Sequence, residues 1–379
     1  MNTSKHIVTD DLVHASDALA CELYNRKLYQ ASIDQNNITL QLVGNKHPSV
    51  LKNIANAYYF LKNPEKSEEI FKEYLDITGS TDKMDIRQYG QYLTRSGRID
   101  EGFEYLLKNR SESNEFHLDM GWYLLKQGRF KESFIETEMG RNGAVWIGKK
   151  YPPNCPRLNK GNDIRGKKLC VIGEAGLGDE IIFSRWIRTL KERGAIVYYY
   201  TDNTLKNVIT RTFEVLPHDL SVRYDYWLPT MSLPYLLEIE EPGTDAYLSP
   251  NPLYVAKWRE KLKQYDNIIA LNWTGDKDHM ENGFRTIPID YLVSKLKDKG
   301  TLVSICLGAE TQPEGVIDLT KDIQSWDDTL AILSISNLCY TSCSSVVHAA
   351  GAIGTKTNLY DTVFGYFTWS DKKSGEKSR

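Results

Sequence analysis

The chain has 379 residues, with 47 Lys and Arg against 50 Asp and Glu and a formal net charge of −3. This length exceeds what one ordinary hydrophobic core holds, so two or three domains are expected. Dedicated nucleic-acid binders are usually basic, so this slightly acidic charge balance argues against a nucleic-acid partner.

Targeting signals and cysteine patterns point to a cytoplasmic protein. The first residues, MNTSKHIVTDDL, contain no apolar core of a signal peptide, and no stretch has the length and hydropathy of a membrane span. No C-x-x-C pair occurs, so reduced, buried thiols are expected rather than disulfides or a metal site. The six cysteines are Cys21, Cys155, Cys170, Cys306, Cys339 and Cys343.

Residues 10–141 carry apolar and small residues three and four apart with almost no proline, which predicts helices. The loop Ser96-Gly97-Arg98 recurs as Gln127-Gly128-Arg129, 31 residues later, and a weaker copy follows Tyr59. This part resembles degenerate tetratricopeptide repeats of three or four hairpins, an α-solenoid. We assign its aromatic residues to the core between helices, and the resemblance leaves a concave face open to a protein partner.

Residues 142–166 are rich in Gly, Pro, Asn and Lys, which predicts a linker. The next stretch, KLCVIGEAGLGDEIIFSRW, predicts a strand over 168–173, a glycine turn, and a helix with Asp179 as its N-cap. Glu174 and Glu180 flank this turn, either beside a ligand or solvated. The unit is the typical opening of a doubly wound α/β domain, whose turn faces a ligand crevice.

The rest of the chain continues the alternation of strands and helices in two halves. The first, residues 167–248, adds strands at 196–201 and 224–228 and a helix at 205–213. The second, residues 249–379, has strands predicted at 267–273, 301–307, 317–320, 338–341 and 356–360, and helices at 253–262, 289–299, 326–335 and 344–352. Residues 274–284 form a polar loop. Two α/β halves in tandem predict a cleft between them.

Four motifs in order carry a resemblance over residues 165–369 to GT-B glycosyltransferases of the heptosyltransferase-like kind. They are Gly176-Leu177-Gly178-Asp179; Asn272-Trp273-Thr274-Gly275 with Arg285; Asp318-Leu319-Thr320; and Ser342-Cys343-Ser344-Ser345 followed by His348 and Gly351. The resemblance implies two Rossmann-like halves, a nucleotide-sugar donor and no metal. Cys343 replaces the usual Asp, which puts the donor's identity in doubt. No helix returning to the first half follows Trp369, so the second half is expected to end early.

By this resemblance Asp179 is the general base, and its place at a helix start keeps it ionised without a raised pKa. Gly176, Gly178, Trp273, Arg285, Cys343, Ser344, Ser345 and His348 are expected to hold the donor and its phosphates. Ordinary roles compete with these: an N-cap for Asp179, serine capping, a core histidine and an exposed loop arginine.

The predicted function is therefore transfer of a sugar, with inversion, from a nucleotide-sugar to an unknown glycan or protein acceptor. One alternative is an NAD(P)-binding oxidoreductase, because Gly173-x-Ala175-x-x-Gly178 is near the dinucleotide fingerprint and Asp202 ends the next predicted strand. Its middle glycine is replaced by Ala175. The other alternative is a non-catalytic repeat scaffold that keeps a degenerate transferase domain.

Overall fold

The computed structural model describes residues 10–44, 46–142, 155–201, 204–279 and 282–361. The chain falls into two compact units, Met1–Glu112 and Ser113–Arg379. Within the described ranges, no helix combines the length and the apolar character needed to cross a membrane.

The first unit is entirely helical over its described residues. Its helices are α1 (Asp10–Asn25), α2 (Tyr29–Val43), α3 (Pro48–Phe60), α4 (Pro64–Thr78), α5 (Lys83–Arg95) and α6 (Ile99–Lys108). They pack as three successive hairpins, α1 on α2, α3 on α4 and α5 on α6. The prediction of helical hairpins in series in the N-terminal region is confirmed.

In each hairpin the two helices touch at a pair of small residues twelve positions apart, one on each helix; we call the one on the second helix the closing residue. Ser32 Oγ donates to the Ala20 carbonyl at 2.8 Å, and Ser67 Oγ donates to the Ala55 carbonyl at 2.7 Å. In the third hairpin a Cβ at Gly102 would lie 2.8 Å from the Gly90 carbonyl oxygen, so the backbones touch there. Over the first three hairpins these closing residues recur every 35 positions, and the 31 predicted from the loops applies to the step from the third hairpin to the next.

The second unit begins with one more hairpin, α7 (Asn114–Lys126) and α8 (Phe130–Met139). Ser133 Oγ closes it on the Gly121 carbonyl at 2.6 Å. Phe134 of α8 meets Trp186 edge to face with ring centroids 5.7 Å apart, and both belong to the hydrophobic core cluster that contains residues of the two α/β halves. This hairpin is therefore packed into the α/β unit.

The first α/β half is a parallel sheet in the order β3-β2-β1-β4. Its strands are β1 (Lys168–Ile172), β2 (Ile196–Tyr200), β3 (Leu216–Pro217) and β4 (Tyr226–Pro229), and its helices are α9 (Leu177–Ser184), α10 (Ile187–Glu192), α11 (Lys206–Phe213) and α12 (Leu233–Leu236). Leu158 N–H donates to the Trp227 carbonyl at 2.8 Å, and Trp227 N–H donates to Pro156 at 3.0 Å. Part of the predicted linker thus pairs with the edge of this sheet, and residues 143–154 of it lie outside the described ranges.

The second half is a parallel sheet in the order β7-β6-β5-β8-β9. Its strands are β5 (Ile268–Asn272), β6 (Thr301–Ser304), β7 (Ile317–Asp318), β8 (Leu338–Ser342) and β9 (Thr357–Tyr360), and its helices are α13 (Pro252–Leu262), α14 (Asn282–Arg285), α15 (Ile289–Leu296), α16 (Trp326–Ile335) and α17 (Ser345–Ala352). The strand order reverses between β5 and β8, and in the first half between β1 and β4. Ligand crevices form at the carboxyl ends of strands beside such points, which is where the turn after β1 and the loops after β5 and β8 lie.

Candidate functional site

A cavity of about 590 Å³ opens where the two α/β halves face each other, within the size range of small-molecule sites. The first half contributes the turn after β1 and the start of α9, and the second half contributes the loops after β5 and β8. The lining residues are Ala175, Gly176, Leu177, Gly178, Asp179, Gly275, Asp276, His279, Arg285, Cys343, Ser344, Ser345 and His348. The structure thus brings together eight of the nine predicted site residues, all except Trp273.

Asp179 lies one turn further into α9 than the sequence predicted. The helix begins at Leu177 with Gly176 as N-cap, so Asp179 is the third helical residue rather than the cap. Its Oδ2 accepts the Gly176 N–H at 3.0 Å, which closes the turn from the helix side. Ala175 sits at φ +58°, a left-handed conformation that a residue with a Cβ rarely adopts.

The Asp179 carboxyl is less acidic than expected. Removal from water by the surrounding protein raises its pKa to about 6, and the negative charge of Glu174 acts in the same direction. The hydrogen bond from Gly176 opposes this shift only in part. The expectation of an ordinary pKa at a helix start thus fails, because desolvation outweighs the helix start. A carboxylate that picks up a proton near pH 6 has the range of a general base working near neutrality.

The two glutamates beside the turn are buried rather than solvated. Glu180 is fully buried, and it accepts hydrogen bonds from the Tyr199 hydroxyl at 2.5 Å and the Thr201 hydroxyl at 3.1 Å. Glu174 accepts the Met231 N–H at 3.0 Å and pairs with the Arg141 guanidinium at 2.5 Å. Both carboxylates therefore hold the first half together and do not line the cavity.

Arg141 connects the glycine turn to the hairpin α7–α8. Its guanidinium lies 3.6 Å from Glu138 Oε2 as well as 2.5 Å from Glu174. Glu138 in turn accepts from Arg157 at 2.5 Å and from the Ser232 hydroxyl at 2.6 Å. These ion pairs and hydrogen bonds fix the strand side of the turn, while Asp179 fixes its helix side.

Arg285 is a half-buried cation at the edge of the cavity. Its Nη1 donates to the Cys343 carbonyl at 3.3 Å and its Nε donates to Asn282 Oδ1 at 3.2 Å. The side chain lies over Gly275, where a Cβ would come within 2.9 Å of Nη2. The guanidinium is thus held against the cavity, which suits it to an anionic ligand.

The start of α17 forms the opposite wall of the cavity. Ser344 is its N-cap in extended conformation, and its hydroxyl accepts from Asn272 Nδ2 at 2.9 Å. Ser345 opens the helix, so N–H groups of its first turn face the ligand space, where a helix favours negative charge. Cys343 is 2% exposed, so its thiol is buried, and its backbone carbonyl contributes to the site by accepting a hydrogen bond from Arg285.

His348 lies one turn into α17 and is both a core residue and a wall of the cavity. Burial and the nearby Arg185 charge lower its pKa to about 3, so the imidazole is neutral at physiological pH. A Cβ at Gly178 would lie 2.8 Å from His348 Cδ2. Gly178 is therefore needed for the close approach of α9 and α17, which joins the two halves.

The structure separates Trp273 from the other predicted site residues. Its side chain is 5% exposed and packs in the core of the second half with Leu271 and Ile287. Asp202, the acidic residue of the dinucleotide alternative, lies outside the described residues, as does the expected chain end after Asp361. Over the described part of the chain, no group of His, Cys, Asp and Glu could hold a metal ion. All six cysteines are described and free, and Cys21 is exposed.

Sequence reasoning missed several polar residues of the site. Asp276 and His279 line the cavity, and Asn282 accepts the Gly275 N–H at 3.1 Å while holding Arg285. Asn272 belongs to the second motif but was not expected in the site, and from the end of β5 it donates to the Ser344 hydroxyl. These residues end or follow β5, a central strand, and the carboxyl ends of parallel strands face the ligand. Their position in the chain could therefore have predicted a role in the site.

No family model matches this chain. It is 27% identical over 281 residues to Protein FlbA of Caulobacter vibrioides, an alignment covering 60% of this chain and 46% of that protein. The chain thus spans about half the length of the curated relative it matches.

Solved structures of repeat proteins are also similar to part of the chain. MamA from Desulfovibrio magneticus RS-1 has 13% identity and a TM-score of 0.32, covering 34% of this chain and 74% of that one. A TPR repeat-containing protein from Cytophaga hutchinsonii has 17% identity and a TM-score of 0.28, covering 34% and 52%.

Proposed function

We propose that the second unit is a glycosyltransferase that uses a nucleotide-sugar donor, and that the repeats of the first unit bind a protein partner. One observation carries the first part of this proposal. A single cavity brings a carboxylate of one α/β half, Asp179, to a cation and a helix start of the other, Arg285 and Ser345. Transfer with inversion needs a base for the acceptor and positive or dipolar groups for the departing diphosphate.

In this proposal Asp179 takes the proton of the acceptor hydroxyl. The acceptor oxygen forms a bond to the anomeric carbon from one face while the bond to the diphosphate breaks on the other face, so the configuration inverts. The electron pair leaves with the diphosphate. Arg285 and the N–H groups at the start of α17 stabilise its developing negative charge. The neutral His348 adds no charge to this wall, and its pKa of about 3 keeps it neutral at the pH where Asp179 is ionised.

The replacement at Cys343 changes how the donor is held. A buried thiol cannot offer the carboxylate that would contact a ribose, and the Cys343 carbonyl is used to hold Arg285. Donor binding in this chain therefore rests on the phosphates more than on the nucleoside. We expect weak discrimination between different nucleotides.

A second role, a scaffold without catalysis, has support of its own. Helical hairpins make up the described part of the first unit, and such arrays present extended surfaces for protein partners. The bond from Gly176 to Asp179 is also what a plain helix-capping carboxylate makes. Of the two roles, partner binding by the repeats has the more direct support, because the hairpins are observed while transfer rests on the arrangement of the cavity.

Calorimetric titration with UDP-, GDP- and ADP-sugars tests the transferase. A charged hydrogen bond is worth about 1.5–3 kcal/mol, so Arg285→Gln should weaken nucleotide-sugar binding roughly tenfold to a hundredfold. The matched control is Arg259→Gln, an exposed arginine on α13 that makes the same change in net charge. Asp179→Asn should keep binding and lose turnover.

The same titrations separate the alternatives. Tight NAD binding without nucleotide-sugar binding would favour the oxidoreductase. Binding of neither class of ligand would leave the scaffold as the function of the chain.

A further inference from the structure

The two walls of the cavity between the α/β halves differ in charge. The wall of the first half is formed by the turn at residues 175–179, and the wall of the second half carries Arg285 and the start of α17. Within the described part of the chain, Arg285 is the one lysine or arginine of the lining, and it is outnumbered by two carboxylates, Asp179 and Asp276. An anion that enters the cavity therefore finds one side-chain cation to pair with.

Two arginines contact the turn or α9, yet neither lines the cavity. Arg141 is 7% exposed and is paired with the buried Glu174. Arg185, which follows α9, donates to the Pro242 carbonyl at 3.1 Å, and its guanidinium lies over the Tyr247 ring at 4.5 Å from the centroid. Both guanidinium groups are thus held by other partners, and the wall of the first half keeps its negative charge.

Leu177 gives the wall of the first half an apolar surface beside the carboxylate. It is the first residue of α9, it is half-buried against the core, and it lines the cavity. Its neighbours Ala175 and Gly176 are exposed and have no polar side chain. A charged group placed here would lose water without gaining a partner, and an anion would also be repelled by Asp179. The wall suits an uncharged group that offers a hydroxyl to Asp179 and carbon atoms to Leu177.

We propose that the cavity accepts hydroxyl compounds that are uncharged near the reacting oxygen, and that Leu177 and Asp179 exclude anionic acceptors. The donor's diphosphate takes Arg285 and the start of α17, so a phosphate or carboxylate on the acceptor has no cation of its own in the described lining. The inference rests on the proposed transferase and deepens it by naming the class of acceptor. Either a neutral sugar or a neutral peptide with a serine-type side chain supplies this chemistry.

NMR titration of the full-length protein at pH 8, observed at the Ala175 methyl group, tests this inference, because Ala175 is exposed and lines the cavity. The probes form two matched pairs whose members differ by one negative charge. Methyl β-glucoside is compared with methyl β-glucuronide, and N-acetylserine methylamide is compared with N-acetylserine. The first pair represents a sugar acceptor and the second a peptide acceptor.

In at least one pair the neutral probe should bind about fivefold or more tightly than the anion, which is the effect of two like charges about 4 Å apart even in water. Asp179→Asn should remove most of this preference, and Leu177→Lys should reverse it. The matched control is Leu253→Lys, which makes the same change in net charge at a residue of α13 that is 78% exposed and outside the lining, and it should leave the preference unchanged. The pair that shows the preference identifies the source of the hydroxyl.

Equal or tighter binding of the anionic probes would overturn the proposal, and so would a preference that survives Asp179→Asn. A response of the Ala175 methyl group to none of the four probes would overturn it as well. If Leu177→Lys does not fold by circular dichroism, the Asp179→Asn result decides alone. Calorimetry of the same samples separates two kinds of failure: nucleotide-sugar binding without a preference leaves the transferase and removes the acceptor class, whereas no nucleotide-sugar binding removes both.

Discussion

Replacing Arg141 by Met should destabilise the second unit strongly. The Arg141 and Glu174 side chains are 5% and 4% exposed and lie 2.5 Å apart, so the substitution leaves a carboxylate buried without its cation. Removing one partner of a buried ion pair costs about 3–5 kcal/mol of folding free energy. The loss should be concentrated at the glycine turn, because Glu174 anchors its strand side.

Two variants give this prediction its controls. Arg129→Met breaks an exposed pair with Glu132 at the start of α8, where the side chains are 45% and 56% exposed, and should cost at most about 1 kcal/mol. The double variant Arg141→Met, Glu174→Gln removes both charges and keeps an acceptor for the Met231 N–H. It should recover at least about half of the single variant's loss, since no unpaired charge remains.

The assay combines urea unfolding with hydrogen exchange of residues 168–186, because a chain of two units need not unfold in one step. Amides of the turn and of α9 should exchange faster in Arg141→Met than in Arg129→Met. The reasoning is refuted if the two single variants are equally stable, or if the double variant is as unstable as Arg141→Met.

Three further predictions concern the cavity. Turnover should rise with pH with a midpoint near 6, the pKa of Asp179. Because that native pKa is raised from 3.8, the wild type loses stability relative to Asp179→Asn as pH rises from about 4 to about 6, and the difference stays constant above that range. A flat profile in both assays would contradict this. Gly178→Ala forces a Cβ against His348 and should cost about 1–3 kcal/mol in thermal unfolding, whereas Gly283→Ala, with open space at its Cβ, should cost much less. Ala175→Gly relieves the φ of +58° and should stabilise by up to about 1 kcal/mol; a loss of stability would show that the Ala175 methyl packs usefully.

Much of the fold followed from local patterns. Apolar spacing predicted a helical N-terminal region, and the strand–turn–helix pattern starting at Lys168 predicted that Asp179 lies beside the turn after β1, which lines the cavity. The helix Trp326–Ile335 was predicted with its observed ends. These features depend on residues close together in the chain, which is where hydrophobic periodicity is informative.

Features that depend on distant partners could not be predicted. The burial of Glu174 requires Arg141, 33 residues earlier, and the pKa of Asp179 follows from how much protein surrounds it. Trp273 was expected in the site because it belongs to the second motif of the resemblance, yet its side chain follows a central strand and packs into the core. The 35-residue spacing of the hairpin-closing residues was visible in the sequence only once the role of Ser32 and Ser67 was known.

The packing of α8 on Trp186 decides where the chain can be divided for experiments. A fragment that starts at the end of the predicted repeats, after residue 141, would lose Phe134 and Arg141 and leave an apolar patch and an orphaned glutamate on the transferase candidate. A fragment that starts at Ser113 keeps both. Expression trials and any exchange of modules between related proteins should therefore treat the fourth hairpin as the first element of the α/β part.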